Sequence, residues 1–132
     1  TGRLIISIND NVVQEVDNLV VTAGKEFVAS RMIGTSADVM DNMAIGSGST
    51  AAAAGDTALG SELNRQSATS SASGAVVTFS ATFAAGNGTG AVSEAGLFNA
   101  SSGGSMLCRT VFSVVNKGAA DSMTISWAVT VS

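Results

Sequence analysis

Residues 76–83 read Val-Val-Thr-Phe-Ser-Ala-Thr-Phe, and this stretch decides the fold class. Apolar side chains occupy every second position from Val77 to Phe83, and valine, threonine and serine stand between them. A period of two residues is typical of a strand with one buried face and one solvated face. Residues 122–131, around Trp127, repeat the pattern at the end of the chain. Both stretches therefore predict half-buried antiparallel strands.

Turn signals separate further apolar segments along the rest of the chain. Residues 3–8 and 12–21 flank an Asn-Asp-Asn cluster and predict an N-terminal hairpin. Other strands are predicted at 43–46, 59–68, 90–99 and 106–115, with a turn of helix as the alternative for 59–68. Many short strands and a single helix predict a mainly β fold, an antiparallel β-sandwich of jelly-roll-like or barrel-like form.

One short α-helix is predicted over residues 23–33. The side chain of Thr22 is expected to cap its first turn, and Gly34 is expected to end it. The residues predicted to face the core are Phe27, Val28 and Met32. The hairpin and this helix together make up residues 1–34.

The composition indicates one domain with a weakly charged surface. A length of 132 residues suits a single core, so we predict one β-sandwich domain over residues 1–132. Only 12% of the residues are charged, about half the usual share, so the surface must be rich in small polar residues. Such a surface suits a permanent assembly. Composition alone leaves an ordinary low-charge soluble domain equally open.

The charge pattern also bears on the kind of partner. The net charge is −4, and the six basic residues are scattered from Arg3 to Lys117, so no nucleic-acid partner is expected. The sequence opens on no secretion signal, and no apolar run approaches the roughly 18 residues of a membrane span. We therefore expect no membrane partner and synthesis in a cytoplasm.

Residue types needed for most catalytic sites are missing. The chain has no histidine, which removes Cys-His and Ser-His catalysis, and Cys108 lies in an apolar run as expected of a buried thiol. Gly-rich stretches at 46–51 and 86–91 match a loose dinucleotide pattern, but no βαβ unit surrounds either. Asp38, Asp41 and Asp56 fit turn roles as well as calcium ligation. We predict no enzyme activity, no catalytic residue, no cofactor and no metal.

Glu94 stands alone inside the apolar segment Gly-Ala-Val-Ser-Glu-Ala-Gly-Leu-Phe-Asn at 90–99. A carboxylate in a buried strand needs a basic partner, and the candidates for this structural charge pair are Arg65 and Arg109. Pairing with Glu62 for glycoside hydrolysis is the catalytic alternative, but no spacing favours it. Trp127 is interpreted as a core residue rather than a carbohydrate platform.

Five segments resemble a family of small structural proteins of tailed bacteriophages, in the same order along the chain. They are Met-Ala-Ile-Gly-Ser-Gly-Ser-Thr at 43–50, Gly-Asp-Thr-Ala-Leu-Gly-Ser-Glu at 55–62, Val-Ser-Glu-Ala-Gly-Leu-Phe-Asn at 92–99, Arg-Thr-Val-Phe-Ser at 109–113, and 117–127. Members of that family are virion components without known enzymatic activity. The resemblance implies a virion protein made in a bacterial host, either a capsid protein or a tail-fibre or head-fibre module that binds a host surface glycan.

The compact chain lacks a repetitive shaft, which favours a capsid decoration or cement protein on the capsid surface. By resemblance, such a protein forms a homotrimer, and its partner is the major capsid protein. Binding only to the assembled shell would stabilise the head. The candidate assembly contacts lie in the N-terminal segment and in two small-residue loops: Arg3, Leu4, Ile5, Gly46, Ser47, Gly48, Ser49, Ser101 and Ser102.

Overall fold

The computed structural model describes residues 1–34 and 38–131, which hold nine strands and one helix. In chain order the elements are β1 Gly2–Ile8, β2 Asn11–Val20, α1 Thr22–Met32, β3 Asn42–Gly46, β4 Glu62–Ser67, β5 Thr69–Ser73, β6 Val76–Phe83, β7 Gly90–Phe98, β8 Met106–Lys117 and β9 Met123–Thr130. The predicted mainly β fold with one early helix is confirmed. The interval 59–68 contains the strand β4, as predicted, and not the alternative turn of helix.

All strand pairs are antiparallel, and the strand order is β4-β3-β7-β8-β2-β1-β9-β6-β5. This sheet curls until it is nearly closed into a barrel. One layer holds β3, β4, β7 and β8, and it meets the other layer where Leu19 and Val20 pair with Arg109 and Cys108. At the other edge of the first layer, only Ala68 separates β4 from β5, so the chain passes there directly from one layer to the other.

The N-terminal hairpin is part of the sheet and confirms its prediction. Asn9 and Asp10 both have positive φ, 48° and 69°, as a tight two-residue hairpin turn requires. On its other side β1 pairs with β9 along its whole length.

The inward faces of the strands fill one continuous core. β6 and β9 pair from Val76 with Thr130 to Phe83 with Met123, and their alternation places the apolar residues inside. Trp127 is 0% exposed, as its interpretation as a core residue requires. A smaller apolar cluster lies apart from this core and is built by Val21, Ala44, Phe98 and Met106, with Ala23 and Leu59 packed against it.

The helix occupies the predicted place, but two predictions about its ends are wrong. Val21 is the N-cap, no side chain caps the turn, and the Thr22 amide donates to the carbonyl of Ala54 instead. Met32 is 82% exposed. The helix is anchored through its first turns, where a β-carbon at Gly24 would lie 2.7 Å from the carbonyl carbon of Leu107. Its last turn therefore projects into solvent.

Candidate functional site

Glu94 lies on the face of β7 that is turned away from the main core. Ala95 and Leu97 point into that core, and successive strand side chains point to opposite faces, so Glu94 and Phe98 share the other face. Despite this position Glu94 is 0% exposed. The segment between β3 and β4, residues 47–61, covers it.

The carboxylate of Glu94 binds backbone amides from both ends of that segment. Oε2 accepts hydrogen bonds from the amides of Gly48 and Ser61, each at 2.7 Å, and Oε1 accepts from the amide of Gly60 at 2.8 Å. The Ser61 carbonyl also accepts from the Ser47 amide at 2.9 Å, which closes the base of the loop. A compact surface loop with adjoining ends is an Ω-loop.

Arg109 on β8 brings a positive charge to the same carboxylate. Its Nε and Nη2 lie 3.2 and 3.0 Å from Oε1 of Glu94. Its Nη1 lies 2.9 Å from Oδ2 of Asp56, and Nη2 also donates to the carbonyl of Thr50 at 3.0 Å. Asp56 in turn accepts from the amide of Ala53. Arg109 thus binds the middle of the loop while Glu94 binds its ends.

We call this set of residues the Glu94 cluster: Gly48, Asp56, Gly60, Ser61, Glu94 and Arg109. Its glycines allow the backbone to approach the carboxylate. A β-carbon at Gly48 would lie 2.7 Å from Cδ of Glu94, and one at Gly46 would lie 2.6 Å from its Oε2. The glycine spacing at 46–48 therefore serves an anion cradle, but the anion is the chain's own side chain.

Two opposing effects act on the pKa of Glu94. Burial alone raises it, but the backbone N–H groups of Gly60 and Ser61, the Arg109 side chain and the Gly48 amide together hold the pKa below its ordinary value. The charged form is therefore the stable one. With five hydrogen bonds to its two oxygens and no exposed surface, this carboxylate is suited to holding the fold rather than to moving protons.

Arg65, the other proposed partner of Glu94, is directed to a different loop. Its Nη2 and Nε bind the two carboxylate oxygens of Glu62 at 2.7 and 3.2 Å. Its Nη1 donates to the carbonyls of Ala100 and Gly103 at 3.0 and 2.8 Å, and its guanidinium stacks 3.8 Å from the ring centroid of Phe98. Arg65 is thus the support of the loop after β7.

Lys117 forms a second buried polar clip that the sequence reading missed. It is 2% exposed, and its Nζ donates to the carbonyls of Ala84 and Asp121 at 3.0 and 2.7 Å. The Asp121 carboxylate accepts from the amide of Gly118 and from the side chain of Asn9, and these bonds lower its pKa. Three loops at one end of the barrel are joined in this way. The sequence feature that could have indicated this clip is a lysine directly before a glycine in a turn.

The nine candidate assembly contacts differ in their exposure. Six remain at the surface: Arg3, Ile5, Ser47, Ser49, Ser101 and Ser102. Leu4 and Gly46 are corrections, because Leu4 is 0% exposed in the core and Gly46 is buried between β4 and β7. Gly48 is half-buried, and its amide is bound to Glu94.

Cys108 and two of the aspartates considered as calcium ligands, Asp41 and Asp56, have structural surroundings. Cys108 is buried, and that burial raises the pKa of its thiol. Asp56 is bound to Arg109, and Asp41 accepts from the amide of the Asn42 side chain. Across residues 1–34 and 38–131 no group of three or more candidate ligands is placed to hold a metal ion.

No helix in the described part of the chain has the length and apolarity needed to span a membrane. No family model matches the chain, and no curated protein or solved structure is significantly similar to it.

Proposed function

We propose that this chain is a non-enzymatic structural protein of a tailed-phage virion, most specifically a capsid decoration or cement protein. In this role it binds the major capsid protein at the capsid surface, assembles as a homotrimer and stabilises the head by mass action.

The observation that carries the proposal is that the buried charges of Glu94 and Arg109 are engaged in structural hydrogen bonds. Glu94 and Arg109 form their hydrogen bonds with each other, with the backbone of residues 47–61 and, for Arg109, with the Asp56 carboxylate. A general acid or nucleophile needs a free position for a reacting atom, and this carboxylate has none. The cluster supports a role in holding a surface loop in a fixed shape.

The Glu94 cluster joins residues from four of the five segments that resemble the phage protein family. Gly48 comes from the segment at 43–50, Asp56, Gly60 and Ser61 come from 55–62, and Glu94 and Arg109 come from the next two segments. Residues far apart in sequence but joined in one cluster would have to be retained together. This supports treating the five segments as one structural signature.

The surface supports an assembly role. The exposed contact candidates are four serines, Arg3 and one apolar residue, Ile5, which is 36% exposed. The low share of charged residues, 12%, gives weak repulsion between neighbouring molecules. Glycan binding by a fibre module is less well supported, because five of the six aromatic side chains are buried, Phe27 is half-buried against the core, and stacking on sugars needs an accessible ring.

The test is a density map of particles reconstituted with this protein, combined with two surface variants. Ile5→Lys places a charge in the proposed contact, where Glu15 on the neighbouring strand can accept it without loss of folding. Ser71→Lys is the control, because Ser71 is exposed on β5, outside the contact set. We expect wild type and the control to cover the capsid surface and Ile5→Lys to occupy it about tenfold less.

Copies found only at a tail or vertex would overturn decoration in favour of the fibre module. Particles that bind no copies would overturn the virion role altogether. Sedimentation velocity of the free protein tests the trimer separately, and a monomer at high concentration would contradict it.

A further inference from the structure

Residues 47–61, which we call the strap, have a composition unlike that of the barrel they lie on. They read Ser-Gly-Ser-Thr-Ala-Ala-Ala-Ala-Gly-Asp-Thr-Ala-Leu-Gly-Ser, so Leu59 is their only large apolar side chain. Leu59 is half-buried and packs against the small cluster that contains Phe98 and Met106. Apolar burial therefore contributes little to the attachment of the strap.

The strap is attached mainly by polar contacts, and most of these lead to two side chains. Glu94 binds Gly48 near its start and Gly60 and Ser61 at its end, and Arg109 binds its middle. The hydroxyl of Ser93 adds a bond to the carbonyl of Gly48, and the amide of Thr22 adds one to the carbonyl of Ala54. Because one carboxylate binds both ends, its loss removes three hydrogen bonds between the strap and the barrel, and the bond between Ser47 and Ser61 is left to close the base.

The barrel beneath the strap has its own hydrogen bonding. β3 pairs with β7 from Asn42 to Gly46, and β7 pairs with β8 along most of its length, so neither ladder passes through the strap. Segments with few apolar contacts and backbone bonds outside the ladders open at lower free energy than core strands. The sheet can therefore persist when the strap leaves it.

We infer that the strap is a separately opening unit of the fold, latched by Glu94, and that its release uncovers the apolar sheet face around Phe98 and Met106. Glu94 is a positioning residue in this device, and Arg109 and Asp56 are the charged groups that face the latch. The inference does not depend on a role in a virion.

Hydrogen exchange of the intact protein, followed peptide by peptide, tests this directly. In the wild type the amides of Gly48, Gly60 and Ser61 are expected to be protected although they lie in a surface loop. In Glu94→Gln these amides should exchange about 100-fold faster, since charge-assisted bonds are lost, and they should remain less protected than β6 and β9, whose protection falls with the global stability. Glu62→Gln is the matched control, because it neutralises a carboxylate that binds Arg65 outside the strap.

Asp56→Ala is the second variant, in case Glu94→Gln does not fold. It removes the acceptor of the Ala53 amide and one partner of Arg109, so exchange in the middle of the strap should rise about tenfold and should stay faster than exchange in the core. Unchanged strap exchange in the folded variants would overturn the latch. Strap amides that are protected as strongly as β6 and β9 in the wild type would overturn separate opening.

Discussion

Replacing Glu94 by glutamine removes one negative charge from a closed cluster and keeps the side-chain length. Oε1 accepts three N–H groups and Oε2 accepts two. An amide offers one oxygen and one NH2 group, so whichever way it is turned at least two N–H donors face another donor. Arg109 also loses the more deeply buried of its two counter-ions and keeps only Asp56, whose side chain is partly exposed.

These losses set the expected magnitude. Breaking a buried ion pair by removing one partner costs about 3–5 kcal/mol, and two charge-assisted hydrogen bonds at about 1.5–3 kcal/mol each give the same range. Domains of this kind have a total stability of about 5–15 kcal/mol, so the variant loses a large part of it. We expect the melting temperature to fall by about 10–20 °C.

Urea unfolding followed by the fluorescence of Trp127, the single tryptophan, measures the change, because this indole is 0% exposed in the folded state. Glu62→Gln is again the control. The Glu62 side chain is 36% exposed and pairs with Arg65 near the surface, so we expect a loss of no more than about 1 kcal/mol. If the two variants lost equal stability, the cluster would not be the main polar support of the fold.

Three further changes test the same structure. Acid should destabilise the wild type more than Glu94→Gln in melting curves. The folded pKa of Glu94 lies below its ordinary value of 4.5, so the contribution of this carboxylate to stability is complete above pH 4.5 and is lost as the pH falls toward the folded pKa. Parallel pH dependence of the two melting temperatures would refute this role of Glu94. Gly48→Ala should cost about 2 kcal/mol or more in urea unfolding, because its methyl group would press on Glu94, whereas Gly55→Ala, with no atom within 4 Å, should be neutral or slightly stabilising. Lys117→Met should cost about 1–3 kcal/mol by leaving two carbonyl groups without their buried donor, and a loss as small as that of the exposed Lys25→Met would contradict the clip.

Local patterns in the sequence were sufficient for the helix and for every strand except the polar strand β5. The alternation at 76–83 and around Trp127 predicts the paired strands β6 and β9, because a strand with one buried face imposes a period of two. The Asn-Asp turn fixes the hairpin register in the same local way. The sequence also marks Glu94 as a buried charge in need of a partner, since no basic residue stands on its own strand.

Only the tertiary structure decides which partner Glu94 meets. Arg109 faces it because β7 and β8 pair with Arg109 opposite Gly96, whereas Arg65, two strands away on β4, meets Glu62 and the loop after β7. Register between strands is a long-range property, and no spacing along the chain encodes it. The role of the glycines at 46 and 48 is also a long-range property, because it depends on a carboxylate more than 45 residues later in the chain.

The helix end and the contact residues show the same limit. Thr22 carries a good capping side chain, but the carbonyl of Ala54 arrives from the strap and satisfies its amide. Leu4 reads as part of an accessible N-terminal segment, yet β1 is inserted between β2 and β9 and turns Leu4 inward. The sequence by itself determined the strands, the helix and the need to neutralise a buried carboxylate. The tertiary structure decided how that carboxylate is neutralised, because hydrogen bonds from distant backbone can form only after the sheet has brought them together.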